Sequence, residues 1–179
     1  MIYTKLILLI IPILYTIAIL WLFGWQKSYS MSYYNYNQKK VWKYAFTAFC
    51  WSIAYPALMI GATPLLFIAA SLIGILGVMA AFMGDDPYNK EEQEKVRYWL
   101  HMIAAYGGIL FAQLSIAIDF KQYWVNAAFI LLSLLMILFK DKLPKWKDEE
   151  GKEHPAYFFW IELFAIISIW KVLIIGYIL

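Results

Sequence analysis

The chain has 179 residues, of which 64% are hydrophobic and only 15% charged, with a formal net charge of +3. Soluble domains are about 45 to 50% apolar and about 25% charged, so the composition excludes an ordinary soluble domain and points to a chain solvated by lipid. With a single cysteine and two histidines it has no disulfide framework and no cysteine-based metal motif.

A hydrocarbon core about 30 Å thick takes about 20 apolar residues per helical span. Six predominantly apolar runs of about that length are present, at 6–25, 41–62, 64–83, 98–118, 123–139 and 156–179. The expectation is therefore an all-α polytopic bundle of six transmembrane helices in one domain over 1–179. The first run follows Lys5 as a signal sequence would, but it has no A-x-A-like exit and reaches full spanning length, so it is expected to be retained. After it comes "SYSMSYYNYN" at 28–37. Its tyrosines suit a membrane-interface belt, and in an extended segment Ser28, Ser30 and Ser32 place their hydroxyls on one side.

The second run contains Cys50 and also Pro56, which removes a backbone hydrogen bond and predicts a kink, with a small cavity beside it. A tight turn, "GATP" at 61–64, makes the third run its antiparallel neighbour. Ala70, Gly74, Gly77 and Ala81 in the third run are small residues at close-packing intervals, and this run is expected to pack on the fourth. Asp85 and Asp86 close the third run. The connection that follows, "GDDPYNKEEQEKVR", has five acids against three cations.

The fourth run is the most informative. Spacings of three and four put His101, Ala105, Gly108, Ala112, Ser115 and Asp119 on one stripe. All are small or polar, so the stripe is expected to face the bundle interior. A turn at 119–124 leads to the fifth run, and the connection "KDKLPKWKDEEGKEHP" leads on to the sixth. That connection reads as a solvated loop, or as Lys145, Trp146 and Lys147 resting on anionic headgroups. In the sixth run, Glu162 and Lys171 are nine residues apart and so lie on opposite helix faces. Lys171 is expected to reach Asp119 or the outer interface, and Glu162 to find His101 or a hydroxyl of the first connection.

Twelve of the fifteen lysines and arginines fall in the first, third and fifth connections. By the positive-inside rule these longer loops are cytoplasmic, which puts both termini on the extracytoplasmic side of a cell membrane.

Ionisable groups within spans are costly and are functional candidates by default. Ser28, Ser30, Ser32, Asp85, Asp86, His101 and Glu162 form the expected polar pocket at the cytoplasmic end. Ser115, Asp119 and Lys171 continue as an intramembrane polar path. Three functions fit: binding of a lipid or small ligand without turnover, conduction of protons, ions or small solutes along the path, and hydrolysis. No phosphate-cradling loop, nucleophile elbow or H-E-x-x-H motif is present. The cations line the membrane surface, so membrane lipids are the expected partners, with a second copy or another membrane protein as further candidates and nucleic acid excluded.

The order "SYSMSYY", "GVMAAFMGDDP" and "VRYWLHMIAAYGG" over roughly 25–120 resembles uncharacterised bacterial membrane proteins distantly similar to the CREST superfamily of alkaline ceramidases and adiponectin-type receptors. The resemblance implies a zinc near the cytoplasmic helix ends and cleavage of lipid amide bonds. The positions matching its serine, aspartate and histidine are Ser28, Ser30 or Ser32, Asp85 or Asp86, and His101. In a metal-dependent hydrolase His101 and Asp85 would be the metal candidates and Glu162 the candidate general base. The residues by themselves require no cofactor.

Overall fold

A computed structural model of the chain describes residues 2–30, 40–59, 63–82, 92–148 and 151–178. These residues form an all-α bundle of six helices: α1 (Ile2–Phe23), α2 (Lys40–Met59), α3 (Pro64–Phe82), α4 (Glu92–Ile118), α5 (Tyr123–Leu138) and α6 (Tyr157–Ile178). Each helix coincides with one apolar run, and the largest shift is at α4. That helix begins at Glu92 rather than near 98, because Glu, Gln, Lys and Arg favour helix as well as apolar residues do, while hydropathy marks only the apolar stretch.

Local chemistry sets the helix ends. Gly24, at φ +68°, stops α1, its N–H donating to the Leu20 carbonyl at 3.1 Å, as expected of a left-handed glycine just past a helix. Pro64 opens α3, where a missing N–H costs nothing, and the Thr63 hydroxyl caps it by accepting the Leu66 N–H at 3.3 Å. Pro56 lies inside α2 without ending it.

The connection between α5 and α6 is not simply a solvated loop. A 3-10 turn, Lys140–Lys142, leads into an antiparallel ribbon of β1 (Lys145–Lys147) and β2 (Glu153–Pro155), with Trp146 opposite His154. The Trp146 ring stacks on His154 at 5.0 Å and packs on the core. Asp148 accepts from His154 Nε2 at 2.7 Å and from the Lys152 N–H at 2.8 Å. Gly151, at φ +78°, lets the chain reverse. The signal was present in K-W-K and E-H-P, alternating residues on either side of a glycine-containing turn.

Glycines decide how α2, α3 and α4 pack. A Cβ added at Gly77 would stand 2.9 Å from Cys50 Cβ, and one at Gly74 would stand 3.3 Å from the Trp51 ring. The small residues of α3 therefore receive α2, while α3 also packs on α4 as expected. Gly107 and Gly108 of α4 receive Leu72 and Ile73 of α3. The Thr47 hydroxyl lies 2.8 Å from the Gly77 carbonyl oxygen, a polar tie between α2 and α3.

The interior stripe of α4 is confirmed at His101, Gly108, Ala112 and Ser115, all buried, with Ala105 and Asp119 half-buried. The outside of the bundle is apolar. Leu14, Ile17, Trp21, Leu131, Leu134 and Leu138 are all more than half exposed, and Val125 is the buried residue of α5. Two of the described helices are long and apolar enough to cross a membrane, at Pro64–Ala81 and Tyr98–Ile118.

Candidate functional site

At the end of the bundle where α1 exits and α6 begins, the connector after Gly24 turns inward. The Gln26 amide donates to the Phe23 carbonyl at 3.0 Å. Tyr29 then enters the core and is 3% exposed. Its ring lies between Phe49 of α2 and Phe159 of α6, with centroids 5.4 and 4.4 Å away and planes within 13° and 10°. The Thr16 hydroxyl donates to the Pro12 carbonyl at 2.7 Å, so its one proton is committed. The 3.0 Å contact between Thr16 and the Tyr29 oxygen is therefore a bond donated by the phenol. Burial pushes the Tyr29 phenol well above the usual tyrosine range, and the Glu162 carboxylate adds to this.

The Tyr29 backbone N–H donates to Glu162 Oε2 at 2.7 Å. Glu162 was expected to meet His101 or a hydroxyl, and the structure gives it a main-chain amide of the first connection instead. The reason is the alternation of the segment. With the Tyr29 ring turned into the core, Ser28 and Ser30 share the other side, where their hydroxyls bond to each other at 3.1 Å. Ser30 is buried and Ser28 half-buried. His101 is also buried, at 5% exposure. Ser32, Asp85 and Asp86 lie outside the described residues; of the seven residues expected in the pocket, the Tyr29 clasp brings Ser28 and Ser30 to the helix that carries Glu162.

Trp25 completes this end. Its indole stacks on Trp160 at 5.3 Å and meets Phe159 edge-on at 5.9 Å. The helix that carries Glu162, α6, packs against both α2 and α4.

The opposite end has its own carboxylate. Asp119 Oδ2 accepts hydroxyl bonds from Thr63 and from Ser115, the latter at 2.8 Å, so the α2–α3 and α4–α5 turns are tied together there. Lys171 does not reach Asp119. Its ammonium lies 2.9 Å from the centre of the Trp124 ring, a cation–π contact that holds it beside the first turn of α5. As expected from their spacing, Glu162 and Lys171 form no pair with each other.

Between the two ends lies a polar cluster that a search for ionisable residues overlooks. The Gln113 amide donates to Ser168 Oγ at 2.7 Å, and the Asn126 amide lies 3.1 Å from both the Gln113 carbonyl oxygen and its Oε1. Ser168 donates in turn to the Ala165 carbonyl at 2.8 Å. The cluster links α4, α5 and α6. Amides inside an apolar run were its visible signal, since such groups require partners in a dry interior.

A groove of about 340 Å³ lies between α2 and α3, lined by Trp51, Leu58, Ala70, Ser71, Gly74 and Met79 among others. It is almost wholly apolar and begins two residues from Pro56, beside the expected kink. Among the described residues no three histidine, cysteine, aspartate or glutamate side chains gather as a metal site requires.

Fold and site together define an all-α apolar bundle with two helices able to cross a membrane and a half-buried carboxylate clasped by a connector. Comparison with family models, with characterised proteins and with solved structures finds no match.

Proposed function

We propose that the chain is a multi-pass integral membrane protein with six spans, both termini extracytoplasmic, and that it binds a lipid or small ligand at the cytoplasmic end of the bundle without turning it over. The apolar exterior supports the membrane setting, because large exposed apolar patches on a folded chain mark contact with lipid or another protein. The observation that carries the binding reading is the Glu162 carboxylate. It is held inside an apolar bundle by one main-chain N–H, with the Ser28 and Ser30 hydroxyls on the same connector. A carboxylate at that depth is expensive, and a helix bundle that needed only packing would place an aliphatic residue there.

The test is extraction into mild neutral detergent followed by native mass spectrometry and thermal unfolding. Co-purifying lipid, or stabilisation by added lipid, is expected, together with weaker retention in Glu162→Leu. Wild-type protein that retains and responds to no lipid contradicts the reading.

A second reading is conduction of protons or small ions. It is favoured by the polar groups found between Glu162 and Asp119, namely Gln113, Asn126 and Ser168. Flux in liposomes that falls in Glu162→Gln and in Asp119→Asn would select it. Hydrolysis with a zinc is the third reading and rests on the resemblance through Ser28, Asp85 and His101. Stoichiometric zinc lost in His101→Ala would select that reading.

A further inference from the structure

We infer that the group recognised at Glu162 is an organic ammonium, carried by a lipid headgroup or by a soluble amine. This rests on the binding reading above and names the chemistry of its ligand. Three observations lead to it. First, among the described residues the carboxylate has no cationic partner: its bond is the Tyr29 N–H to Oε2, Oε1 has none, and the ion pairs found there lie in the ribbon at Lys145, Lys147, Asp148, Glu153 and His154. An unmatched, half-buried carboxylate in apolar surroundings gains from a positive charge.

Second, the surroundings suit an organic cation better than an inorganic one. Calcium takes six to eight oxygen ligands, and magnesium a full octahedron. Glu162 belongs to no group of three acidic or metal-ligating side chains among the described residues.

Third, an aromatic ring stands at this end of the bundle. Tyr29, which carries the N–H, has both ring faces covered by Phe49 and Phe159, whereas the half-buried Trp25 stacks on Trp160 and meets Phe159 edge-on. Ring faces attract ammonium groups through their quadrupole, more strongly when water is excluded. One carboxylate with a half-buried tryptophan ring at the same end of the bundle is a recognition set for a primary or quaternary ammonium. The half-buried side chain of Glu162 leaves Oε1 as the atom that meets it.

The experiment uses the full chain in neutral maltoside micelles. Native mass spectrometry measures retention of phosphatidylethanolamine, phosphatidylcholine and phosphatidylglycerol of identical acyl chains. A parallel arm measures thermal stabilisation by ethanolamine and tetramethylammonium. Preference for the ammonium-bearing lipids over phosphatidylglycerol by about tenfold is expected, and it should vanish in Glu162→Gln, which keeps an oxygen for the Tyr29 N–H while removing the charge. Stabilisation by the soluble amines without lipid preference, lost in the same variant, supports the same chemistry with a soluble source.

Equal retention of all three lipids with no response to the amines overturns the inference and leaves lipid binding standing. No retention and no response overturns both. If Glu162→Gln does not fold, Trp25→Leu provides the check: selectivity for trimethylammonium over primary ammonium should fall several-fold, and unchanged selectivity overturns the inference.

Discussion

Tyr29 is where the connector becomes part of the bundle, and its removal can be graded. In Tyr29→Phe the ring stays between Phe49 and Phe159, and only the phenol bond to Thr16 is lost. Thr16 still donates to the Pro12 carbonyl, so no donor is left unsatisfied, and the cost should be about 1 kcal/mol. In Tyr29→Ala the whole ring goes. Removing a buried aromatic side chain costs about 3 to 5 kcal/mol, of which two near-parallel ring pairs account for about 0.5 to 1.5 kcal/mol each. The larger loss also frees the N–H clasp on Glu162, since a segment without its anchor pays more entropy to stay in place.

Equilibrium unfolding in mixed micelles, followed by circular dichroism, measures the series. Maleimide labelling of Cys50, which is buried and the sole thiol, reports opening of the bundle independently. The expected order is wild type, Phe, then Ala, with Cys50 labelled fastest in Ala. A Tyr29→Ala protein within about 1 kcal/mol of wild type would refute the reasoning, and so would a Phe variant as damaged as Ala.

Three further outcomes are expected. Because burial raises the Tyr29 phenol, its neutral form stabilises the fold fully below the unfolded value of about 10. That stability is lost as pH rises above it, so an alkaline titration of unfolding should show a component missing from Tyr29→Phe. Gly77→Ala places a Cβ 2.9 Å from Cys50 Cβ and should cost about 1 to 3 kcal/mol through overpacking, partly offset by the better helix propensity of alanine. Gly74→Ala, facing the edge of a Trp51 ring at 3.3 Å, should cost less, and thermal unfolding of the two variants compares them. Asn126→Leu leaves Gln113 Oε1 and the Gln113 carbonyl without their Asn126 donor. A loss of about 0.6 to 2 kcal/mol is expected, and a double-mutant cycle with Gln113→Leu should show coupling.

The helices were legible because hydropathy reports residue by residue what lipid will accept. The six runs predict six helices within a few residues, except at Glu92, where helix continues beyond the apolar stretch. The interior stripe of α4 was equally legible, since His101, Gly108, Ala112 and Ser115 follow the helical period. The packing partner of Gly74 and Gly77 was not, because small residues announce a close approach without naming the neighbour. The Gln113, Asn126 and Ser168 cluster was missed for a related reason: each residue alone is unremarkable in an apolar run, and only three-dimensional adjacency makes a network. The ribbon of Lys145–Lys147 and Glu153–Pro155 is hard to read from sequence because its two strands have three residues each and carry charge on their outward side.

The site divides along the same line. Composition and period alone determined that Glu162 sits in an apolar helix, that Lys171 faces away from it, and that three serines alternate in the connector. These are properties of single segments, governed by transfer cost and backbone geometry. The tertiary structure decided that the Tyr29 ring is the inward-turned side chain, that its N–H rather than a serine hydroxyl or His101 meets the carboxylate, and that Lys171 settles on Trp124 instead of Asp119. Those choices depend on which rings of α2 and α6 offer a slot at that depth. Such complementarity between segments distant in the chain exists only once the bundle has packed.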